Sequence, residues 1–260
     1  MTQLGNDQIK GVVKERYGAL ARSASEASSS DDCCGTDCCS TASSEEALTL
    51  YTSAETQDLP AEALAASAGC GNPTALASMQ PGETVVDFGS GGGIDCFLSA
   101  KAVGPSGRVI GIDMTEDIIN LARANARRLK LSNTEFHLSD MEDTPLDENT
   151  ADILISNCVI NLAPDKDPVF REAFRILKPG GRLMVSDMVL VDDIPEDQAA
   201  DTSNWVACLA GAEKKETYLG KMRDAGFAEV EVLSETPISG DDGWRASIRS
   251  MNIKAVKPGS

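Results

Sequence analysis

Residues 84–97, TVVDFGSGGGIDCF, constrain this chain more than any other stretch. Val85 and Val86 continue a short apolar strand that Asp87 closes, and Gly89, Ser90, Gly91, Gly92 and Gly93 turn the chain into a helix beginning near Ile94. Glycines at the alternate positions 89, 91 and 93 permit positive φ and let a ligand lie directly on the backbone. The first N–H groups of the helix that follows have no partner inside it and face such a ligand. The dinucleotide pattern G-x-G-x-x-G fails, because Ile94 stands where its last glycine belongs, and no Gly-Lys-Ser/Thr follows to make a phosphate loop.

An acid on a strand, alternating glycines and a second strand at 108–112 ending in Asp113 are left. A carboxylate at that tip is placed to hold two ribose hydroxyls. The combination resembles the nucleoside site of class I S-adenosylmethionine-dependent methyltransferases. Strands at 84–88, 108–112, 134–138, 151–156 and 182–186 alternate with helices at 94–103, 116–131 and 168–177. That order predicts an α/β fold, a doubly wound and mainly parallel sheet with right-handed crossovers. Lys178-Pro179-Gly180-Gly181 reads as a sharp helix stop. Past Asp187 the alternation breaks, and residues 191–213 read as an inserted cap. Helix 214–225 and strands 229–233 and 246–255 then complete a seven-stranded, Rossmann-like sheet with an antiparallel edge.

Ligands in open α/β sheets lie beyond the carboxyl ends of the strands. On that rule Asp87, Gly89, Ser90, Gly91, Gly93, Asp113, Met114, Asp140, Met141 and Asn157 surround S-adenosylmethionine. Asp113 takes the ribose, Asp140 accepts from the exocyclic amine of adenine, and Met114 and Met141 pack on the ring. The expected division is 1–47 as a helix and Cys/Ser-rich segment, 48–190 as the cofactor-binding core, and 191–260 as the cap and completion of the sheet. In the first of these, Ile9, Val12, Val13, Tyr17 and Leu20 give helical spacing over 9–20, whereas 23–44 carries too little apolar surface to hold a fold. Pro60 is placed to open a helix over 61–68.

Charge and composition narrow the function. A formal net charge of −18, from 41 acidic and 23 basic residues, argues against nucleic acid, whose phosphates need a basic face. No apolar run approaches the roughly 18–20 residues that span a bilayer, and the first residues lack a signal-peptide core. A soluble, cytoplasmic monomer without a membrane partner is expected. The single histidine, His137, falls inside strand 134–138, so imidazole-rich metal sites are excluded and His137 reads as structural. O- and N-methyltransferases commonly need a base, and no spare histidine and no isolated Lys or Tyr beside the expected pocket supplies one.

Eight cysteines point instead to thiol chemistry or soft-metal binding. Cys96, on the first helix, reads as a buried apolar filler. Cys158 ends the fourth strand, Cys70 lies in the turn GCGNP and Cys208 in the inserted ACLAGA. These contexts, with SNCVINL around Cys158, resemble the arsenic-binding motifs of the arsenite S-adenosylmethionine methyltransferases over about residues 13–244. The resemblance implies that Cys158 and Cys208 hold As(III), with Cys70 as a further ligand or redox partner. It also implies an N-terminal cysteine that pairs with Cys70, and Cys33, Cys34, Cys38 and Cys39 all qualify. That cluster reads as metalloid capture or redox ahead of a four-thiolate zinc site, because the Ser-rich sequence around it offers no zinc-ribbon strands.

The chemistry so implied needs no base. Soft thiolates select a thiophilic centre, and the lone pair of three-coordinate As(III) attacks the sulfonium methyl in line. Methyl transfer formally oxidises arsenic, and disulfide formation at Cys70 restores As(III), with thioredoxin or glutathione as reductant. The substrate expected is arsenite or its thiol conjugates, converted to methylated arsenicals for detoxification. Two other readings stay open at this point: a small-molecule O-, N- or C-methyltransferase with structural cysteines, and a non-catalytic metalloid-binding protein.

Overall fold

Near-continuous burial along the central strands, whose successive side chains face opposite sides of the sheet, dictates the architecture. The computed structural model describes residues 5–27, 51–66, 70–199, 201–238 and 243–259, so Cys33, Cys34, Cys38, Cys39 and Gly69 lie outside the described residues. Its strands are β1 (Thr84–Phe88), β2 (Arg108–Asp113), β3 (Thr134–Leu138), β4 (Ala151–Asn157), β5 (Leu177–Leu190), β6 (Ala228–Pro237) and β7 (Ile248–Val256). They form one sheet in the order β3-β2-β1-β4-β5-β7-β6. The first five pair in parallel, whereas β7 runs antiparallel to both β5 and β6. The expected seven-stranded, mainly parallel sheet is therefore present, and its antiparallel part is made by β7 with β6 outside it.

The longer helices are α1 (Asn6–Ala27), α2 (Ala61–Ala65), α3 (Ile94–Val103), α4 (Glu116–Arg128), α5 (Lys166–Ile176), α6 (Thr202–Val206) and α7 (Lys215–Asp224). Val85, Val109, Ile153 and Ile155 turn to one face and pack with Phe97 of α3 and Ile119 and Ala122 of α4. Their neighbours Val86, Ile110 and Leu154 turn to the other face, against Phe170 of α5 and Tyr218 and Met222 of α7. Each fully buried aliphatic or aromatic side chain of this kind contributes about 1.5–3 kcal/mol. No helix among the described residues is long and apolar enough to cross a membrane.

Two local expectations change in the structure. Strand five begins at Leu177 rather than at 182, directly at the end of α5, and runs on to Leu190. Leu177 pairs with Ala151 and Arg182 with Ile153, so the intervening Lys178-Pro179-Gly180-Gly181 bulges out of the sheet without ending it. Gly180, at φ 79°, supplies the left-handed residue the bulge needs. Pairing with β7 along 182–190 explains the extension past Asp187. Helix α2 stops at Ala65, short of the expected 61–68.

Helix α1 packs over the carboxyl end of the sheet. Ala21 and Ala24 meet Ala66 and, on α4, Ile118 and Leu121, and an ion pair joins Arg22 to Asp117. Residues beyond β5 fold back toward the same end. Trp205 of α6 directs its indole N–H to the Leu162 carbonyl at 3.4 Å, and buried Lys166 donates to the Gly211 carbonyl at 2.7 Å.

Gly111 on β2 leaves room for the Phe136 ring and the Ser90 side chain. A Cβ there would stand 2.6 Å from the ring and 2.8 Å from Ser90 Cβ. Gly111→Ala is therefore expected to lower the unfolding free energy by about 1–3 kcal/mol, seen as a lower urea midpoint at unchanged m-value.

Candidate active site

The turn after β1 shapes a cavity at the carboxyl end of the sheet. Gly89 (φ 72°) and Gly91 (φ 51°) adopt the left-handed conformation, and a side chain at Gly89 would run into Val159. The cavity is lined by Gly89, Ser90, Gly91 and Gly92 on one side and by Asp113, Met114, Asp140, Met141, Asn157 and Cys158 on the other. Ser90 Oγ is buried there with no hydrogen-bond partner among the described residues. An unpaired buried hydroxyl costs free energy unless a ligand meets it, so the cavity is built for a guest with polar groups.

Asp113 closes the far side. Its carboxylate accepts from the Thr115 N–H at 2.9 Å and the Gly91 N–H at 3.3 Å, while burial pushes its pKa up to about 6. Asp140 accepts from Lys10 of α1 at 2.7 Å, and the same ammonium reaches Glu142 at 2.9 Å. Two residues expected at the cofactor stand elsewhere. Asp87 is buried behind the loop, where it accepts from the Cys96 thiol at 3.3 Å, and Gly93 caps α3; neither lines the cavity. The carboxylate that does line it from this stretch is Asp95, in the first turn of α3. Burial raises its pKa to about 6, against hydrogen bonds from Asn157 and Tyr51 that favour the ionised form.

Asn157 joins this wall to the thiols. Its Oδ1 accepts from the backbone N–H of Cys70 at 3.0 Å and of Gly71 at 3.2 Å. Its Nδ2 donates to the Gly71 carbonyl at 2.8 Å and lies 3.2 Å from both Tyr51 Oη and Asp95 Oδ2. The Cys70 turn is thereby held against the end of β4. Gly71 is the residue that permits so close an approach, because a Cβ would stand 2.6 Å from Ser186.

Cys70 and Cys158 are joined by a disulfide, with 5.6 Å between their Cα atoms. Cys208 reaches the same place from the chain after β5, its thiol donating to the Cys158 carbonyl at 2.7 Å. Val13, Leu162, Met114, Met188 and Trp205 surround the three cysteines with apolar surface. Cys158 and Cys208 both have left-handed backbones, at φ 61° and 62°. For a side chain other than glycine, asparagine or aspartate this is uncommon and costs about 1–3 kcal/mol, a form of strain that concentrates at functional sites. Burial drives the Cys208 thiol well above its ordinary pKa, so it is held protonated.

Sequence reasoning missed several neighbours of the thiols. Asp187 is fully buried, with a carboxylate oxygen within 4.8 Å of both Cys70 and Cys158 sulfurs. It accepts from Tyr218 at 3.0 Å, and burial raises it to about 7. Tyr17 and Lys10 come from α1, forty residues or more from the motifs. His137 stands on β3 beside Glu135, 3.3 Å away, and not in the cavity wall.

A family profile described as a methyltransferase domain matches residues 79–226. An arsenite methyltransferase of Halobacterium salinarum is 40% identical over 236 residues, which are 87% of this chain and 59% of that protein. The human protein of the same name is 36% identical over 137 residues, 49% of this chain and 36% of that protein. Among solved structures, an arsenic(III) S-adenosylmethionine methyltransferase from Chlamydomonas reinhardtii is 32% identical with a TM-score of 0.69, covering 79% of this chain and 72% of that one. The chain spans about half the length of the curated relatives it matches.

Asn157→Ala removes the acceptor for two backbone N–H groups of the Cys70 turn. It is expected to lower the unfolding free energy by about 2–3 kcal/mol. After reduction with dithiothreitol and its removal, the same variant should re-form the Cys70–Cys158 disulfide more slowly than the parent, read as more rapid alkylation of Cys70 in peptide mass maps.

Proposed function

The chain belongs to the arsenite S-adenosylmethionine methyltransferases, within the methyltransferase-domain family, and from that premise we propose that it transfers methyl from S-adenosylmethionine to thiol-bound trivalent arsenic. One observation carries this reading: Cys158 is both a wall of the cavity and the meeting point of Cys70 and Cys208. The acceptor is thereby held beside the donor, and positioning of this kind is worth roughly 7–11 kcal/mol of barrier for a well-aligned pair.

The residues present fit the cofactor. Asp113 would take the ribose hydroxyls, and Asp140, once free of Lys10, the exocyclic amine of adenine. Met114 and Met141 would pack on the ring, with Ser90 and the loop amides meeting the methionine end. Bound there, S-adenosylmethionine supplies a methyl group on a positive sulfonium that an arsenic lone pair can take. Asp95 and Asp113 add negative charge to a wall facing that cation.

For the acceptor, arsenite condenses with thiols by losing water, one molecule for each As–S bond formed. No net proton leaves the site, so a buried thiol held protonated is not at a disadvantage. The Cys70–Cys158 disulfide has to gain two electrons and two protons before both sulfurs ligate arsenic. A dithiol such as thioredoxin, or glutathione, in a reducing compartment such as the cytoplasm is the reductant proposed. The same reductant would serve a disulfide between Cys70 and one of Cys33, Cys34, Cys38 or Cys39 after turnover.

Cys158→Ser and Cys208→Ser are each expected to abolish arsenite methylation while leaving S-adenosylmethionine binding intact. The assay is incubation with arsenite, thiol reductant and methyl-labelled cofactor, followed by identification of labelled arsenic species. Full activity in either variant refutes the site. Acid should act on the donor side: ribose hydroxyls donate to ionised Asp113, so cofactor affinity is full above about pH 6 and falls up to about tenfold per pH unit below it. Calorimetric titration across pH 5–8 checks this, and Asp113→Asn should bind more weakly and lose much of the acid dependence.

A further inference from the structure

Methyl transfer to arsenic moves a positive charge as well as a carbon. The arsenic lone pair forms the new As–C bond, the C–S bond breaks, and its electron pair stays on the sulfur of the departing thioether. The sulfonium charge disappears, and a neutral tris-thiolate becomes a methylarsonium cation, oxidised formally from As(III) to As(V). No proton enters or leaves in this step. A group that favours the transition state over the bound reactants therefore stands on the arsenic side and carries negative charge. We propose that Asp187 is that group, the counter-ion for the charge that reaches arsenic. The proposal rests on the arsenic-thiol reading given above.

The sheet sets its placement. Asn157 and Ser186 pair across β4 and β5, and the Cys158 N–H donates to the Ser186 carbonyl at 2.7 Å. Asp187 is the next residue on β5, fully buried, with one carboxylate oxygen within 4.8 Å of both the Cys70 and Cys158 sulfurs. Strand register thus fixes the carboxylate against two of the sulfurs that would carry arsenic. Asp187 does not line the cofactor cavity, whereas Asp95 and Asp113 do. Those two face the sulfonium, so their attraction is greatest before the methyl leaves and weakens as its charge departs. A carboxylate on the acceptor side gains over the same movement, which is the difference that lowers a barrier.

Both oxygens of Asp187 act as acceptors. Oδ1 accepts from the Met188 N–H at 3.0 Å and Oδ2 from the Tyr218 hydroxyl at 3.0 Å. Neither partner is a cation. Buried Lys166 gives its ammonium to the Gly211 carbonyl at 2.7 Å and pairs with Glu213 at 3.8 Å, so it reaches Asp187 through its field and not through a bond. A desolvated carboxylate with no cation bonded to it is unfavourable for the resting protein. A cation formed at arsenic offsets that cost. The thiols sit in apolar surface, where such an attraction is stronger than it would be in water.

Asp187→Asn tests the charge alone, because the amide keeps an acceptor for the Met188 N–H and offers a donor to the Tyr218 oxygen. The full chain, reduced and loaded with arsenite, is mixed with methyl-labelled S-adenosylmethionine at about pH 8 for a single turnover, and labelled arsenic is followed in time. D187N is expected to slow methyl transfer by about a hundredfold. Phenylarsine oxide is a neutral arsenical, and Trp205, packed in the cluster with Cys208, reports its binding by fluorescence in a Trp244→Phe background. Its Kd and that of S-adenosylmethionine should change by less than about twofold, since neither complex holds charge on arsenic. The urea midpoint should hold. Asp187→Glu disturbs the same buried contacts but returns the charge, so at least about tenfold of the lost rate should come back. A D187N rate near wild type overturns the proposal. So does equal slowing of D187N and D187E, which assigns the effect to packing. A loss of phenylarsine oxide affinity in D187N as large as its loss of rate also overturns it, by assigning the effect to arsenic binding. Wild-type protein that yields no labelled arsenic sinks the methyltransferase reading and this role with it, whereas an active wild type beside an unimpaired D187N sinks the role alone.

Discussion

One carboxamide holds this site together. Asn157 stands at the end of β4, where the parallel strands stop and the chain has to supply side-chain partners for whatever packs on their ends. Its oxygen satisfies two N–H groups of the Cys70 turn, and its nitrogen reaches the carbonyl of that turn, Tyr51 and Asp95. No other residue type of this size offers two acceptor sites and two donors in one plane. Aspartate would present acceptors to a carbonyl and a second carboxylate, and leucine would leave the N–H groups bare. The thiol pair and the cavity-facing carboxylate are therefore parts of one hydrogen-bonded unit, and their spacing is set by the geometry of a single side chain.

What the chain reveals before it folds follows from the range of each cause. The strand-turn-helix at 84–97 is local, since alternating apolar residues and glycines fix it within a few residues, and it stands where expected. The alternation of strands and helices is a sum of such local causes, so the parallel sheet was legible too. Cys70, Cys158 and Cys208 were legible through their immediate contexts. That their chain segments meet is a property of the crossovers, and the structure brings them to one apolar cluster.

The failures are non-local or concern backbone state. Asp87 fits the pattern of an acid ending the first strand, yet its side chain turns under the loop to Cys96, and Asp95 in the next helix faces the cavity. An Asp early in a helix reads as a favourable charge near the N-terminus, so its hydrogen bonds to Tyr51 and Asn157 were invisible. Lys10 and Tyr17 were assigned to an amphipathic helix by spacing alone, and spacing does not say which surface the helix covers. The left-handed backbones of Cys158 and Cys208 have no signature, because cysteine carries no preference for that region. Lys178-Pro179-Gly180-Gly181 does follow the end of α5 at Ile176, but that the stretch is a bulge within β5 and not the loop before it is decided by the partner strand.

Electrostatics closes the account of what the cavity selects. Asp87, Asp95 and Asp113 are all raised by burial, and Asp87 is raised further by the charges of Asp95 and Asp113. Grouping two carboxylates in a desolvated wall, with the third buried behind it, is unfavourable for the protein alone, since like charges and burial both oppose ionisation. The arrangement becomes favourable when a cation shares the cavity, because the attraction is then stronger than it would be in water. A neutral guest would leave that cost uncompensated, and an anionic one would add to it. Lys10 answers the same field from α1 by taking Asp140. The acidity near the loop is thus more than the surface excess of a −18 chain: it is placed where a positively charged sulfur is the group that would relieve it, beside thiols that suit a soft acceptor.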